Sequence, residues 1–530
     1  MASAATPALD KKASSTAKIG MGVFGVALIA GLIYIGSSLV TDLGNIHVTA
    51  VGPYVLLGIA LLTALGFEFV NGFHDTANAV ATVIYTHSME PHVAVVWSGM
   101  WNFVGVLLSS GTVAFGIISL LPVELILQVG VGAGFAMVFA LLIAAIMWNV
   151  GTWYFGLPAS SSHTMVGSII GVGIANQLMQ GRNGTSGVDW DQALNVGKSL
   201  LTSPLIGFFI AAALLSLCKL LLKDKRLYEA PVGDAPPPFW IRALLIFTCT
   251  GVSFEHGSND GQKGMGLIML ILVGTVPTAY ALNHAVGPAE TADFLAVSQQ
   301  TSAVISHYVK PDAVIADARQ DLTAFIRTKQ FNDNTMLALR QDISDIGNEV
   351  RDFKALKDVS PDRAGNLRNE MYVVSEAIRI IGKTKKPAFT DDEEKILANY
   401  KGHIDNSTKF IPSWVKVAVA LALGLGTMIG WKRIVVTVGE KIGKEHLTYA
   451  QGAAAELTAM GTIRAFSALG LPVSTTHVLS SGIAGTMVAN GTKLRMDTVR
   501  NLAMAWVLTL PVAMLLSGSL FWLFRHLAGV

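Results

Sequence analysis

The chain has 530 residues, of which 52% are hydrophobic and only 14% are charged, whereas soluble domains usually carry about 25% charged residues. Its mean hydropathy is +0.52. This composition excludes a single soluble core and indicates a membrane protein in contact with a lipid bilayer. The formal net charge of +2 gives no indication of nucleic acid as a partner.

The N-terminus combines basic residues with an apolar run. Lys11, Lys12 and Lys18 precede the apolar residues from about 21 to 40, a pattern shared by signal peptides and membrane anchors. The length of the run and the lack of a convincing small-residue cleavage site favour a retained anchor. Residues 1–51 are therefore assigned to an N-terminal tail and an extra membrane helix.

Apolar windows long enough to span or half-span a bilayer recur along the chain, since a helix needs about 20 mostly apolar residues to cross. They predict an all-α polytopic membrane protein with about 10–12 membrane segments, arranged as a first membrane part, 52–285, and a second, 410–530. The windows lie near 20–40, 52–70, 92–120, 131–155, 164–180, 199–222, 239–256, 264–285, 411–430, 447–468, 477–490 and 499–526.

A segment of different character, residues 286–409, separates the two membrane parts. It holds 17 Lys/Arg and 19 Asp/Glu, nearly half of the chain's charged residues. Apolar residues recur in it at helical intervals with charges between them, which predicts a helical extramembrane insert. No catalytic motif occurs in this insert, so we interpret it as a solvated helical hairpin or a regulatory appendage.

The chain also contains an internal duplication, which is the strongest signal in the sequence. Residues 66–75, GFEFVNGFHD, align without gaps with residues 251–260, GVSFEHGSND, and this places Asp75 opposite Asp260. Residues 156–163, GLPASSSH, align with residues 470–477, GLPVSTTH. Each half thus carries one acidic motif and one hydroxyl motif, a pattern that indicates a transporter with its site where the repeats meet.

The hydroxyl motifs predict two helix starts within the membrane. Proline fixes the approach of the chain, and a run of Ser and Thr then caps the helix that follows. Two such starts facing each other present backbone N–H groups, hydroxyls and positive dipole ends to one small volume, which is an anion site. The six hydroxyl residues are Ser160, Ser161, Ser162, Ser474, Thr475 and Thr476.

The acidic motifs supply a cation-binding character. An ionised Asp inside an apolar segment costs roughly 2.5–3.5 kcal/mol, so Asp75 and Asp260 should face an interior cavity with partners. Asn78 lies one turn after Asp75, and Lys263 one turn after Asp260. Such carboxylates can hold a sodium ion or take up a proton, and either would couple cation entry to anion entry.

Other interpretations of these motifs remain open. The hydroxyl runs may be read as helix caps that also bond neighbouring helices, and Asp260 with Lys263 as a structural buried ion pair. His163 and His477 are either proton carriers or satisfied interior histidines, and an alternative interpretation of Asn71, His74, His256 and Asn259 is that they only brace the backbone of their motif. A hydrolase based on Ser162 and His163 is disfavoured, because adjacent residues of a helix point in different directions.

The segments GFHDTANAVAT at 72–82 and GSNDGQKGMG at 257–266, together with the two hydroxyl motifs, resemble the inorganic phosphate transporter (PiT) family. The similarity is closest to the bacterial low-affinity Pit permeases and covers about 52–285 and 411–526. It implies inverted repeats with re-entrant helical hairpins, in a multi-pass protein of the bacterial inner membrane. It further implies phosphate transport with a cation, which in bacterial Pit members is a proton, and carriage of neutral metal–phosphate complexes.

The resemblance also implies roles for single residues. One departure from the family pattern is His74-Asp75 where many members have Asn-Asp, and another is Lys263 at the position equivalent to Asn78. Both weaken a symmetric sodium site and favour proton coupling. By the resemblance, Asp75 and Asp260 are the motif aspartates, and the phosphate-binding residues are Ser160, Ser161, Ser162, Ser474, Thr475 and Thr476. Beyond the resemblance, Thr164 is a further candidate phosphate ligand, Asn78 and Asn259 are candidate cation-coupling residues beside the two aspartates, and His74, His163 and His477 are candidate proton carriers.

The sequence therefore predicts a secondary transporter, and not an enzyme, that imports inorganic phosphate by proton symport. It needs no resident cofactor, and a divalent metal such as Mg or Zn would travel as cargo. A sodium-coupled phosphate transporter, a sulfate transporter on the same scaffold and a phosphate-sensing membrane protein are the alternatives. A homodimer is compatible with the sequence.

Overall fold

The computed structural model describes residues 7, 9, 12–44, 51–75, 77–127, 132–180, 187–231, 233, 235–311, 313–353 and 355–529. The described chain is helical throughout, apart from turns and one isolated bridge between Gly443 and Leu494. The all-α class predicted from the sequence is confirmed.

The extra helix α1 comes first, and the first membrane part that follows it ends with α11. Large apolar side chains of α1, such as Ile29 and Leu32, are exposed, as expected for a lipid-facing helix. The helices are α1 (Ser15–Leu43), α2 (Val51–Asp75), α3 (Ala77–Tyr85), α4 (Pro91–Leu107), α5 (Thr112–Ile118), α6 (Val123–Leu127), α7 (Gly132–Tyr154), α8 (Ser161–Gln180), α9 (Trp190–Leu221), α10 (Phe239–Thr275) and α11 (Pro277–Tyr280).

As far as the structure describes it, the insert forms a bundle of five α-helices, and the second membrane part follows it. The apolar core of the bundle is continuous with that of the membrane helices, and Arg379 of the bundle pairs with Asp189 at the start of α9, at 2.8 Å. The insert helices are α12 (Pro288–Ser306), α13 (Ala318–Thr328), α14 (Thr335–Arg351), α15 (Pro361–Thr384) and α16 (Asp391–Thr408), and the later ones are α17 (Ser413–Met428), α18 (Lys432–Val436), α19 (Tyr449–Ala468), α20 (Thr475–Asn490) and α21 (Met496–Ala528).

Within the described residues, five helices are long and apolar enough to cross a membrane, or seven if each of two bent pairs counts as one span. The single spans are Ser15–Leu43, Tyr54–Tyr85, Gly132–Tyr154, Trp190–Leu221 and Met496–Ala528. The predicted window 92–120 is a bent pair, with α4 and α5 meeting at 76°. The count of 10–12 segments stays a prediction, as does the extramembrane position of the insert.

One predicted boundary is wrong. The apolar windows predict two segments, 239–256 and 264–285, separated at the polar run around Asp260, but the structure has one helix of 37 residues, Phe239–Thr275. Asp260, Gln262 and Lys263 are all buried inside the protein. Because their polar groups are met by protein rather than by lipid, the helix continues through them.

Glycines of the duplicated motifs allow the two halves to interlock. A Cβ on Gly72 in α2 would lie 2.2 Å from the Leu423 carbonyl oxygen of α17, and a Cβ on Gly257 in α10 would lie 2.2 Å from the Asn102 carbonyl oxygen of α4. These contacts leave no room for a side chain. α2 of the first half therefore packs on α17 of the second half, and α10 of the second half packs on α4 of the first.

Each hydroxyl-motif helix likewise packs on a helix of the other half. A Cβ on Gly171 in α8 would lie 2.2 Å from the Met514 carbonyl oxygen of α21, and a Cβ on Gly485 in α20 would lie 2.2 Å from the Phe208 carbonyl oxygen of α9. Gly171 and Gly485 occupy equivalent positions of the duplication. This matched packing brings the four motifs together, while the inverted orientation of the repeats stays a prediction.

Candidate functional site

The two hydroxyl motifs begin helices in the same manner. Gly156 and Gly470 both take a left-handed backbone conformation, with φ of +65° and +68°, which glycine adopts without strain. The Ser160 hydroxyl then accepts a hydrogen bond from the backbone N–H of His163 at 3.2 Å, and the Ser474 hydroxyl accepts one from that of His477 at 3.1 Å. Ser160 and Ser474 are therefore helix caps.

Ser161 joins three of the four motifs, and the fourth motif contacts Asp75. The Ser161 hydroxyl lies 2.9 Å from Asp75 Oδ2 and 3.1 Å from Asp260 Oδ2. The Thr476 hydroxyl, from the second hydroxyl motif, donates to Asp75 Oδ1. These four residues are each at most 2% exposed. The sequence prediction that Asp75 and Asp260 face the interior with partners is thus realised by hydroxyls of both halves.

Basic side chains surround the two carboxylates. Lys263 Nζ lies 2.7 Å from Asp260 Oδ2, so the ion pair weighed from the sequence is present. His256 Nε2 lies 3.8 Å from Asp75 Oδ2 and 3.6 Å from Asp260 Oδ2, and His74 Nδ1 lies 3.6 Å from Asp75 Oδ1. The carboxylates therefore occupy a buried cluster of mixed charge rather than a purely acidic cavity.

His256 is a site residue for which the sequence alone indicated only a bracing role. It precedes Asp260 by one turn of α10, so both lie on the same helix face, and its ring is fixed by Nδ1 at 2.9 Å from Asn102 Oδ1 of α4. Its position between Asp75 and Asp260 depends on how the two halves pack. The i, i+4 spacing was the one signal in the sequence that could have identified it.

The equivalent histidines of the two hydroxyl motifs face each other. The ring centroids of His163 and His477 are 4.6 Å apart, and Trp506 of α21 stacks on His477 at 4.1 Å. His74 is elsewhere, with Nε2 at 3.1 Å from the Thr152 hydroxyl of α7. The three predicted proton carriers thus form one facing pair and one separate residue beside Asp75.

The remaining predicted residues hold the motifs in place. Ser162 donates to the Val473 carbonyl oxygen at 2.5 Å, Thr164 donates to Asn149 Oδ1 at 2.9 Å, and Asn259 donates to the Ser467 hydroxyl at 2.7 Å. Thr475 is buried at the start of α20. The side chain of Asn78, predicted as a cation ligand, lies outside the described residues.

The donor set at the centre of the site suits a cation. One ligand atom from each of Asp75, His256 and Asp260 lies within 4.8 Å of the other two, and two carboxylates with an imidazole form a ligand set that fits a divalent metal. Lys263 already neutralises Asp260, however, and competes with any metal there. A metal carried as cargo would have to share the cluster with that ammonium group.

The family model and the sequence relatives agree on one class. The model of the phosphate transporter family matches residues 71–517. The chain is 43% identical over 486 residues to the low-affinity inorganic phosphate transporter PitA of Escherichia coli K12, covering 88% of this chain and 96% of that protein. The probable low-affinity inorganic phosphate transporter of Bacillus subtilis is 26% identical over 473 residues, covering 88% and 97%. A solved structure, the sodium-dependent phosphate transporter, is 19% identical, covers 89% of this chain and 99% of its own, and has a TM-score of 0.49.

Proposed function

The chain belongs to the phosphate transporter family, and we propose that within it this protein imports inorganic phosphate together with protons. It is a multi-pass membrane protein of the bacterial inner membrane, and its relatives are transporters rather than enzymes. The observation that supports proton coupling is the single hydroxyl of Ser161 between the carboxylates of Asp75 and Asp260.

A hydroxyl has one proton and can donate to only one carboxylate at a time. In a buried site, the carboxylate that does not receive this hydrogen bond needs a cation or a proton as its partner. Lys263 already forms an ion pair with Asp260. With both aspartates ionised, Asp75, Asp260 and Lys263 together carry one net negative charge. One bound proton neutralises them, whereas a sodium ion has to approach within a few ångströms of the ammonium group of Lys263.

Phosphate competes with the aspartates for the same hydroxyls. The starts of α8 and α20 offer backbone N–H groups and positive dipole ends to an anion, and Ser161 and Thr476 lie in their first turns. When these hydroxyls turn towards phosphate, Asp75 loses both of the hydroxyl donors that it has from Ser161 and Thr476. A proton then takes their place on the carboxylate, which links phosphate binding to proton binding.

Radiolabelled phosphate uptake into proteoliposomes tests this proposal. An inwardly directed proton gradient in sodium-free buffer should drive uptake, and a proton ionophore should abolish it. Uptake that needs sodium would keep phosphate as the substrate and overturn the coupling ion. Adding Mg²⁺ or Zn²⁺ tests cargo metal, since carriage as a neutral complex predicts labelled metal entering with phosphate.

A further inference from the structure

A buried arginine of the insert lies at its boundary with the membrane helices. Arg368, on α15, is only 9% exposed. Within the described residues its guanidinium makes one hydrogen bond and one aromatic contact: Nη1 donates to Asn369 Oδ1 at 3.2 Å, and Cζ lies 5.1 Å from the centre of the Tyr372 ring. Nε has no hydrogen-bond partner there, and no carboxylate of this part of the chain forms an ion pair with the guanidinium. Arginine is rarely buried to this extent without a counter-charge.

Arg379, three turns further along the same helix, is a structural arginine whose charge is paired within the protein. Its guanidinium lies 2.7 Å from Glu376 Oε2 and 2.8 Å from Asp189 Oδ2. Its charge is therefore met twice by carboxylates. The contrast between two arginines on one helix indicates that the counter-charge of Arg368 comes from outside the chain.

Arg368 lines a cavity of about 440 Å³ between α15 and the membrane helices. Asn366 and Asn369 of α15 and Asp362 at its start supply the polar side chains of this cavity, and Val273, Gly274 and Pro277 of α10 and α11 form the opposite wall. The volume lies in the range of small-molecule sites. A planar guanidinium with amide donors beside it is the arrangement that recognises a tetrahedral oxyanion.

We propose that this cavity is a second anion site, separate from the transport site, that binds a phosphate group carrying a hydroxyl. Arg368 and the two amides donate to its oxygens. Asp362 accepts from its P–OH group, which inorganic phosphate and a phosphomonoester lipid headgroup both have at neutral pH and sulfate lacks. The carboxylate that would repel sulfate thus selects a protonated phosphate.

Occupancy of this site affects the membrane helices directly. α15 packs against α11, since a Cβ on Gly365 would lie 3.2 Å from Pro277 Cβ, and α11 follows the end of α10, the helix that carries Asp260. A bound anion compensates Arg368 and stabilises α15 in this position, whereas an empty site leaves a buried charge at the boundary. The insert thereby responds to phosphate.

Equilibrium binding of labelled phosphate to the full-length protein in lipid-free detergent micelles tests the proposal. The wild type should bind two equivalents per chain, Arg368→Gln one, and the control Arg363→Gln, an exposed arginine of the same helix, two. Arg368→Gln that binds as the wild type does would overturn the proposal. If Arg368→Gln does not fold, Arg368→Lys is the test variant. Loss of the planar guanidinium should weaken phosphate binding at this cavity at least tenfold, and an unchanged affinity would overturn the proposal.

Further measurements distinguish this cavity from the transport site, and a lipid headgroup from inorganic phosphate as its ligand. A double variant Ser161→Ala/Thr476→Val should keep the Arg368-dependent equivalent, so this site stands even if the transport proposal fails. Short-chain phosphatidate that displaces the label at near-stoichiometric concentration identifies a lipid headgroup as the ligand, and failure to compete identifies inorganic phosphate. Sulfate competing as well as phosphate would contradict the role of Asp362.

Discussion

Replacing Ser161 by Ala removes a hydroxyl that lies within hydrogen-bond distance of both aspartates of the site. Its hydroxyl lies 2.9 Å and 3.1 Å from the two carboxylates, but it can donate only one bond at a time. A hydrogen bond to a charged group is worth about 1.5–3 kcal/mol. At about 1.4 kcal/mol per factor of ten, one lost bond should lower kcat/KM for phosphate uptake by about 10- to 100-fold.

Initial rates of labelled phosphate uptake over a range of phosphate concentrations measure this effect. Ser168→Ala is the matched control, because Ser168 lies two turns along the same helix and its buried hydroxyl has no partner among the described residues. The control should transport as the wild type does. A Ser161→Ala variant within twofold of the wild type would refute the argument that this hydroxyl is shared between the carboxylates and phosphate.

Three further predictions address the aspartates, the helix packing and the insert. Asp75→Asn and Asp260→Asn should each abolish uptake in protein that still reaches the membrane; normal uptake by either removes that residue from the mechanism. Gly257→Val should lower the Tm in detergent by about 1–3 °C, since overpacking typically costs about 1–3 kcal/mol and a chain of this length has an unfolding entropy of about 1 kcal/mol/K. Gly66→Ala, whose Cβ meets nothing within 4 Å, should leave the Tm unchanged; equal Tm values for the two variants would contradict the packing argument. Burial, with help from Glu370 and Asp345, raises the pKa of Asp342 in the insert to about 7. The folded state then binds the proton more tightly than the unfolded state, so stability should fall as pH rises from about 4 to 7, and Asp342→Asn should flatten that part of the Tm–pH curve; an unchanged slope would refute this assignment.

Some of the site could be predicted from local sequence. The starts of α8 and α20 follow from a left-handed glycine, a proline and a capping serine, all within a few residues of each other, and these signals do not depend on the rest of the fold. The pair Asp260–Lys263 followed from one-turn spacing. The duplication indicated which segments correspond, and the matched glycines Gly171 and Gly485 confirm that they pack alike.

Other features depend on how the halves pack. The contact of Ser161 with both aspartates joins residues 86 and 99 positions apart, and no local pattern specifies it. Hydropathy falls at the polar motif of α10 and predicts a break there, although Asn259, Asp260 and Gln262 have hydrogen-bond partners on α19, α8 and α5. The duplication also misleads in one place: Thr476 donates to Asp75, whereas its equivalent, Ser162, donates to the Val473 carbonyl oxygen.

We propose that phosphate and protons cross the membrane together. The most direct test is the internal pH of proteoliposomes that contain a trapped pH-sensitive dye, in sodium-free buffer with the membrane potential clamped. Addition of external phosphate should acidify the lumen at a rate proportional to phosphate uptake, and Asp75→Asn should abolish both. Phosphate uptake without acidification beyond that carried by the phosphate itself would contradict the account.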